Sequence, residues 1–290
     1  MTSLTSASKL KAIVSAIQKY YPISIADKTW DNTGLLVDSS SAQISNETKK
    51  ISILLTIDLT QAVADEAIAQ NANLILAYHP FIFKGLKSIT QKDPQQTSLI
   101  RLIQNGISVY CPHTAVDAAK GGVNDWLVET VIPRDSNGGF VAYEKSIIEK
   151  NEIMEDTGMG RLITLSSPAS LNELIKNIKT NLGLSHVQLS TSASDKDAKT
   201  IKSIAICAGS GGSLFRGLNA DLYYTGELSH HEALYFKESG SSVIACNHSN
   251  TERGFLPVIK SQLLAELKNL GYEDTEIVIS KVDTDPYETV

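Results

Sequence analysis

The feature that most limits the possible folds is a strand–helix–strand pattern in residues 51–78. The run ISILLTID (51–58) is short, apolar and rich in β-branched residues, which is typical of a buried strand. Apolar residues at helical spacing follow between 62 and 68, and a second apolar run, LILAY, occupies 74–78. Two strands joined by a helix are the unit from which parallel sheets are built, so this segment predicts an α/β fold.

Several other segments continue this alternation of strands and helices. Asp93 followed by Pro94 is typical of a helix start, and the helix is expected to end near Gly106. The further strands are predicted at 107–111, 161–165, 203–209, 221–227 and 242–246, and the further helices at 10–17, 170–180 and 257–270.

The second half of the chain is expected to repeat the first. Residues 203–226 are predicted to run from strand to helix to strand, as residues 52–79 do, which indicates two similar α/β halves. The turn-rich stretch PRDSNGG (133–139) predicts a boundary. We expect a discontinuous first domain, residues 1–132 with 242–290, and a second domain of residues 133–241.

Composition excludes several classes of protein. With 290 residues, 42% hydrophobic and 20% charged, the chain is an ordinary globular protein long enough for two domains. A net charge of −6 argues against general binding to a nucleic-acid backbone. No apolar run approaches the ~20 residues needed to cross a bilayer. The three cysteines lie in apolar runs, which favours small buried side chains in a reducing compartment.

The first 22 residues are rich in Ser and Lys and have no acidic residue, as in a mitochondrial presequence, but they also contain no Arg. Their apolar residues follow helical spacing and stop before Pro22, so we favour a first helix of the fold. A cytoplasmic protein is expected, with mitochondria as the alternative.

Side chains that can bind a metal follow several of the predicted strands. Ligands of open α/β sheets bind at the carboxyl ends of strands. Imidazole and carboxylate together suit Zn, Mn, Fe or Ni. The residues concerned are His79 after LILAY, His113 and Asp117 after ISVYC, and His248 and Glu252 after SVIAC.

Each of these residues also has a structural interpretation. His248 and Glu252 are four residues apart, so on a helix they share a face whether or not a metal is bound. His79 could cap its strand, and His113 with Asp117 could stabilise a turn.

Three further positions have interpretations of their own. Asp58 favours a helix N-cap over a ligand. His230 and His231 begin a predicted helix, where one could face a cleft and the other solvent. His186 is expected to be structural.

The stretch AGSGGSL (208–214) is expected to join a strand to a helix. Consecutive backbone N–H groups at a helix N-terminus can hold a phosphate, so Gly209, Ser210, Gly211 and Gly212 are candidate anion-binding residues. The stretch lacks the Lys of a P-loop and the spacing of a dinucleotide fingerprint, and a tight turn is the alternative.

Taken together, these motifs resemble one family, the GTP cyclohydrolase I type 2 homologues, also called NGG-one-interacting-factor-three-like proteins. The resemblance covers nearly the whole chain. The motifs that carry it are WDNTGLLV (30–37), LTIDLT (55–60), YHPFIFKGLKSI (78–89), HTAVDAAKGGVND (113–125), CAGSGGS (207–213), TGELSHHEA (225–233), NHSNTERG (247–254) and VDTDPY (282–287).

The resemblance implies two interlocked α/β domains with mostly parallel sheets, a metal site in the cleft between them, and a ring-shaped homohexamer. Carried over by position, His79 and Asp117 hold one metal, His248 belongs to a second, and Glu252 bridges both. Tyr78 stands where many bacterial relatives have another histidine. A phenol with a pKa of about 10 is a poor neutral ligand, so one of the two divalent metals lacks a ligand.

Two hypotheses about function follow from these residues and from the resemblance. The first is a metal-dependent hydrolase, cyclohydrolase- or phosphodiesterase-like, acting on a small nucleotide-like or phosphorylated molecule, with His113 or His230 moving protons. The second is a non-catalytic metal-binding ring that serves as an adaptor for protein partners, for example transcriptional co-regulators.

Overall fold

The computed structural model describes residues 5–42, 50–135 and 137–288. Residues 1–4 of the Ser- and Lys-rich N-terminus and Ser136 of the predicted boundary lie outside the described residues. The α-helices of the described part are α1 Ala7–Tyr20, α2 Gln61–Ala69, α3 Pro94–Gln104, α4 Thr114–Ala118, α5 Val123–Val131, α6 Leu171–Leu182, α7 His230–Glu238 and α8 Leu256–Asn269. None of them is long and apolar enough to cross a bilayer.

Two sheets contain the strands of the described residues. The strands are β1 Gly34–Val37, β2 Ile51–Thr56, β3 Leu74–Ala77, β4 Ser108–Cys111, β5 Tyr143–Lys150, β6 Gly158–Ser170, β7 Gln188–Ser190, β8 Thr200–Ser210, β9 Leu222–Glu227, β10 Ser242–Ala245 and β11 Thr275–Ile279. The first sheet has the order β1-β4-β3-β2-β11, and the second has the order β5-β6-β8-β9-β10-β7. The predicted α/β class is confirmed.

The chain divides into two compact units. The first contains the described residues up to Val116 together with Phe255–Thr284, and the second contains Asp117–Gly254 together with the chain from Asp285 onward. In the first sheet, β4, β3, β2 and β11 are parallel neighbours and only β1 pairs antiparallel. In the second sheet, β8, β9 and β10 are parallel, and the outer strands β5, β6 and β7 join antiparallel.

The first unit has a core of aliphatic side chains between its sheet and its helices. Leu54 and Ile75 from the central strands pack with Val63 of α2 and Leu102 of α3, and all four are completely buried. Complete burial of one such side chain contributes about 1.5–3 kcal/mol to the free energy of folding. The predicted start of α3 is confirmed, because the Asp93 side chain accepts a hydrogen bond from the Gln96 backbone N–H.

The units differ in their bounds from the domains predicted at 1–132 with 242–290 and at 133–241. β10 pairs with β9, so residues 242–254 lie in the second unit. Residues 117–132 also belong to the second unit, because α5 packs against α6 and β8.

The helix predicted between β8 and β9 is absent. Residues 212–217 form turns, and the Phe215 N–H donates to the Gly211 carbonyl in a single helical turn. Gly217, with φ of +78°, ends that turn in the left-handed region that glycine adopts readily. The prediction of a helix N-terminus at 208–214 was therefore wrong, and the second half repeats the strands of the first without this helix.

A buried ion pair holds the second unit together near the start of β6. Arg161 is 1% exposed, and its Nε and Nη2 donate to the two carboxylate oxygens of Asp125 at 2.8 and 2.9 Å. Its remaining donors bind the carbonyls of Ala119, Gly158 and Gly160. Burial alone would raise the pKa of Asp125, but hydrogen bonds from Arg161 and Lys145 outweigh it and lower the pKa to about 2.

This ion pair makes the stability of the protein depend on pH in the acidic range. The folded pKa of Asp125 lies below its usual value of 3.8, so its stabilisation is complete above pH ~4 and is lost as the pH falls toward 2. At about 1.4 kcal/mol per pKa unit, the contribution is about 2 kcal/mol. Urea unfolding should show that Asp125→Asn is less stable than the parent by about 3 kcal/mol at pH 6. The difference in free energy of unfolding between Asp125→Asn and the parent should be smaller at pH 3.

The exposed Asp197→Asn is the control, which should change the free energy of unfolding by less than about 0.5 kcal/mol. A gap between Asp125→Asn and the parent that stays constant from pH 6 to pH 3 would contradict the role assigned to the carboxylate.

Candidate metal-binding residues

In the first unit, His79 is held by a carboxylate from the neighbouring strand. His79 follows β3, Asp58 follows the parallel strand β2, and the His79 Nδ1 donates to Asp58 Oδ1 at 2.9 Å. The interpretation of Asp58 as a helix N-cap was wrong, because the Thr60 side chain caps α2 by accepting from the Val63 N–H. Asp58 instead orients the His79 ring.

His113 is oriented in the same way by Asp31. Its Nδ1 donates to Asp31 Oδ1 at 2.8 Å, and the other carboxylate oxygen accepts from the Thr114 hydroxyl at 2.5 Å. The Asp31 side chain is fully buried. Burial alone would raise its pKa, but the bonds from His113 and Thr114 outweigh that effect and lower it. Asp31 is therefore ionised near neutral pH, and the proton in this hydrogen bond belongs to His113 Nδ1.

The backbone at His113 is strained, and its ring belongs to a cluster. Its φ is +35°, unusual for a residue other than glycine, and its N–H donates to the Tyr78 carbonyl. The His79 and His113 rings lie 5.4 Å apart edge to face. The completely buried Tyr78 ring meets both, at 5.4 Å from His79 and 6.1 Å from His113. Tyr78 thus packs beside the two imidazoles.

In the second unit, His248 and Glu252 lie next to each other. They flank a short 3₁₀ turn, Ser249–Thr251, and His248 Nε2 lies 3.4 Å from Glu252 Oε1. The two side chains are adjacent, although the turn that joins them is 3₁₀ and not the α-helix on which they were expected to share a face. His248 Nδ1 donates to Glu227 Oε1 at 3.0 Å, and Glu252 is 2% exposed. A buried carboxylate and an oriented imidazole therefore face each other.

The end of β8 leaves space beside this pair only because residue 209 is glycine. Gly209 has φ of +61°, and a Cβ there would lie 2.8 Å from His248 Nε2 and 3.0 Å from Glu252 Oε1. Its N–H donates to the Thr251 hydroxyl at 2.9 Å, and that hydroxyl donates to the His248 carbonyl at 2.7 Å. The backbone of β8 thus fixes the turn that carries both side chains.

Asp117 belongs to the same part of the second unit. It is 9% exposed, and its carbonyl accepts from Asn124 Nδ2 at 3.0 Å. The Asn124 side chain also accepts from the Ala208 N–H at 2.9 Å, which ties α4 to the end of β8. Burial raises the pKa of the Cys207 thiol, and the negative charges of Asp117 and Glu252 raise it further. Two carboxylates therefore lie around Cys207, which stays a neutral thiol.

The three oriented histidines share one arrangement. In His79, His113 and His248, Nδ1 donates to a carboxylate, which makes Nε2 the nitrogen that can ligate or exchange a proton. Metal-binding histidines have this arrangement in most proteins, because the carboxylate fixes the ring and raises its basicity. The pairs of His and carboxylate therefore have the chemistry of a divalent transition-metal site.

The remaining predicted residues have other surroundings. His230 and His231 are both exposed at the start of α7, with their ring centroids 5.2 Å apart. His186 is exposed and bonded to Ser185. A Cβ at Gly212 would lie 2.4 Å from Glu232 Oε1, so the predicted anion-binding stretch faces a carboxylate.

Sequence reasoning did not single out Asp31, Glu227 or Asn124. Glu227 is the last residue of β9, and the rule that polar residues at strand ends mark sites would have found it. Asp31 has no such signal, and neither does Asn124, whose contact with Ala208 joins residues 84 positions apart. Asp31 is likewise 82 residues from His113.

These features define a two-sheet α/β protein with metal-competent side chains after its parallel strands. The chain belongs to the Duf34/NIF3 (NGG1p interacting factor 3) family, whose sequence profile matches residues 8–286. The resemblance noted in the sequence is thereby confirmed, and the cyclohydrolase designation is a family name only.

Relatives span the whole chain. It is 46% identical to NGG1-interacting factor 3 of Saccharomyces cerevisiae, with 99% of each chain covered. It is 33% identical to human NIF3-like protein 1, covering 97% of this chain and 92% of the human one. Among solved structures, a Bacillus cereus protein related to NIF3 is 20% identical with a TM-score of 0.75, covering 97% and 98% of the two chains, and shares the fold.

Proposed function

We propose that this protein is a metal-dependent hydrolase acting on a small phosphorylated or nucleotide-like molecule. The observation that supports it most is the orientation of His79 and His248, each of which donates from Nδ1 to a carboxylate. That arrangement fixes the ring and leaves Nε2 as the nitrogen that can bind a metal.

The proposed ligands are His79, Asp117, His248 and Glu252. Their donor set fits Zn, Mn, Fe or Ni, in one or two sites. The space beside His248 Nε2 and Glu252 Oε1 exists because residue 209 has no Cβ, and this space supports the proposal that a metal binds there. The family resemblance implies that Glu252 would be shared by two metals. Tyr78 stands where the resemblance expects a histidine, so one of these two metals would have one ligand fewer and would bind more weakly.

A bound divalent metal would supply water whose pKa is lowered to about 7, so hydroxide is available near neutral pH. Asp58 and Glu227 keep the two imidazole rings in position. Asp117 and Glu252 contribute the negative charge that balances the cation. His113, with its Nδ1 held by Asp31, accepts or delivers a proton at Nε2. We favour His113 over the exposed His230 for this role.

The proposal is tested by turnover together with metal content. Purified protein should contain transition metal and should hydrolyse at least one member of a panel of nucleotides, cyclic nucleotides and phosphodiesters. His79→Ala should lose metal and lower turnover at least a hundredfold. The matched control is His186→Ala, at an exposed histidine, and this variant should keep both its metal and its turnover. No turnover across the panel by metal-loaded protein would overturn the hydrolase.

A second candidate is a non-catalytic adaptor, favoured by one observation. The Saccharomyces cerevisiae relative, 46% identical along the whole chain, has a name that describes a protein interaction, NGG1-interacting factor 3. In this proposal the metal is structural and the homohexamer implied by the resemblance presents surfaces to partners. Light scattering that gives a hexamer, with metal bound but no turnover, would favour the adaptor, and a monomer at micromolar concentration would count against the ring.

A further inference from the structure

Two large aromatic side chains of the first unit are exposed side by side. Trp30 is 52% exposed and Phe83 is 47% exposed, and their ring centroids lie 6.1 Å apart with an angle of 45° between the planes. Singly scattered exposed apolar residues need no explanation, but Trp30 and Phe83 lie side by side and form one continuous aromatic surface.

The two rings adjoin the oriented His113. The Trp30 ring meets the His113 ring edge to face, with centroids 5.7 Å apart. Trp30 directly precedes Asp31, the carboxylate that holds His113. The aromatic surface therefore borders a polar edge that contains His113, whose Nε2 is the nitrogen not used by Asp31.

The loops that carry the rings are fixed to one another. The Asn32 side-chain amide donates to the Ile82 carbonyl, so the residues next to Trp30 and Phe83 are joined directly. The turn before Trp30 is closed by Asp27, which accepts from the Thr29 N–H at 2.7 Å. A surface held in this way loses little conformational entropy when a ligand binds.

We propose that Trp30 and Phe83 form a stacking platform for a planar nitrogen heterocycle, the nucleobase of a nucleotide substrate. This inference rests on the proposed function and specifies the substrate class. Aromatic side chains bind bases through their π faces. The polar edge at His113 favours a base, which has ring nitrogens, over a hydrocarbon ring.

The test compares adenosine 5′-monophosphate with ribose 5-phosphate, which has the same sugar phosphate but a hydroxyl at C1′ in place of the base. Equilibrium binding is measured by calorimetry on the purified protein and again after chelation of metal. The nucleotide should bind at least tenfold more tightly than the sugar phosphate. Trp30→Leu should lower nucleotide affinity roughly tenfold, the effect of losing one stacked ring, and should leave the sugar phosphate unchanged. Trp30→Phe should retain most of the affinity.

Tyr235→Leu, an aromatic that is 64% exposed in the second unit, is the matched control and should bind as the parent does. Equal binding of adenosine monophosphate and ribose 5-phosphate, or unchanged nucleotide affinity in Trp30→Leu, would overturn the platform. So would the absence of base-dependent binding at millimolar adenosine, guanosine and cytidine monophosphates. Because stacking needs no metal, base-dependent binding by a protein that shows no turnover across the substrate panel when loaded with metal would reject the hydrolase and keep the platform.

Discussion

Replacing Glu252 with alanine should lower metal affinity by roughly a hundredfold or more. Glu252 is 2% exposed and lies 3.4 Å from His248 Nε2, so its removal takes away buried negative charge beside a ligand. If Glu252 bridges two metals, Glu252→Ala should also lose more metal per chain than His248→Ala, because it removes one ligand from each site.

Elemental analysis measures the metal content per chain, and titration against a competing chelator measures the metal affinity. The control is Glu238→Ala, an exposed carboxylate at the end of α7 in the same unit, which should bind metal as the parent does. Thermal unfolding of each variant checks that the fold is intact. Equal metal retention by folded Glu252→Ala and by the parent would remove Glu252 from the site.

The second large effect is expected from Gly209→Ala. The new Cβ would lie 2.8 Å from His248 Nε2, closer than real Cβ contacts, and 3.0 Å from Glu252 Oε1, which is a very tight contact. The His248 ring must then move and the Glu252 carboxylate must give by a few tenths of an ångström, so metal affinity should fall at least tenfold. The left-handed φ of +61° adds about 1–2 kcal/mol of backbone strain to the loss in stability.

A second glycine separates the effect of backbone strain from the effect of the contact with His248 and Glu252. Gly183, at the C-terminal cap of α6, has φ of +69°, and a Cβ there would meet no atom within 4 Å. Gly183→Ala should therefore lower the free energy of unfolding in urea through backbone strain, while its metal affinity stays at the parent's value. A loss of metal affinity as large in Gly183→Ala as in Gly209→Ala would show that strain, and not the contact with His248, is responsible.

Much of the secondary structure follows from local patterns in the sequence. The strands β2, β3, β4, β9 and β10 were predicted within about two residues of their ends, because period and β-branched content depend on residues close together in the chain. The N-cap at Asp93 was predicted for the same reason. The helix predicted after Ser210 was wrong because Gly211, Gly212 and Gly217 disfavour a helix, and the segment forms turns instead.

The candidate site was predictable only in part. His79, His113 and His248 follow strands in the sequence, and the structure places each of them after a strand. Their carboxylate partners Asp58, Asp31 and Glu227 could not be assigned, since a hydrogen bond between residues 21 or 82 positions apart depends on which strands lie side by side.

The sequence by itself determined the α/β class, the family and the residue types available for a metal, since these depend on local periodicity and on motifs. Only the tertiary structure decided which carboxylate orients each histidine, why residue 209 must be glycine, and that Arg161 is buried against Asp125. The physical reason is that these contacts join segments far apart in the chain. Their energies depend on distances of a few tenths of an ångström, which local pattern does not encode.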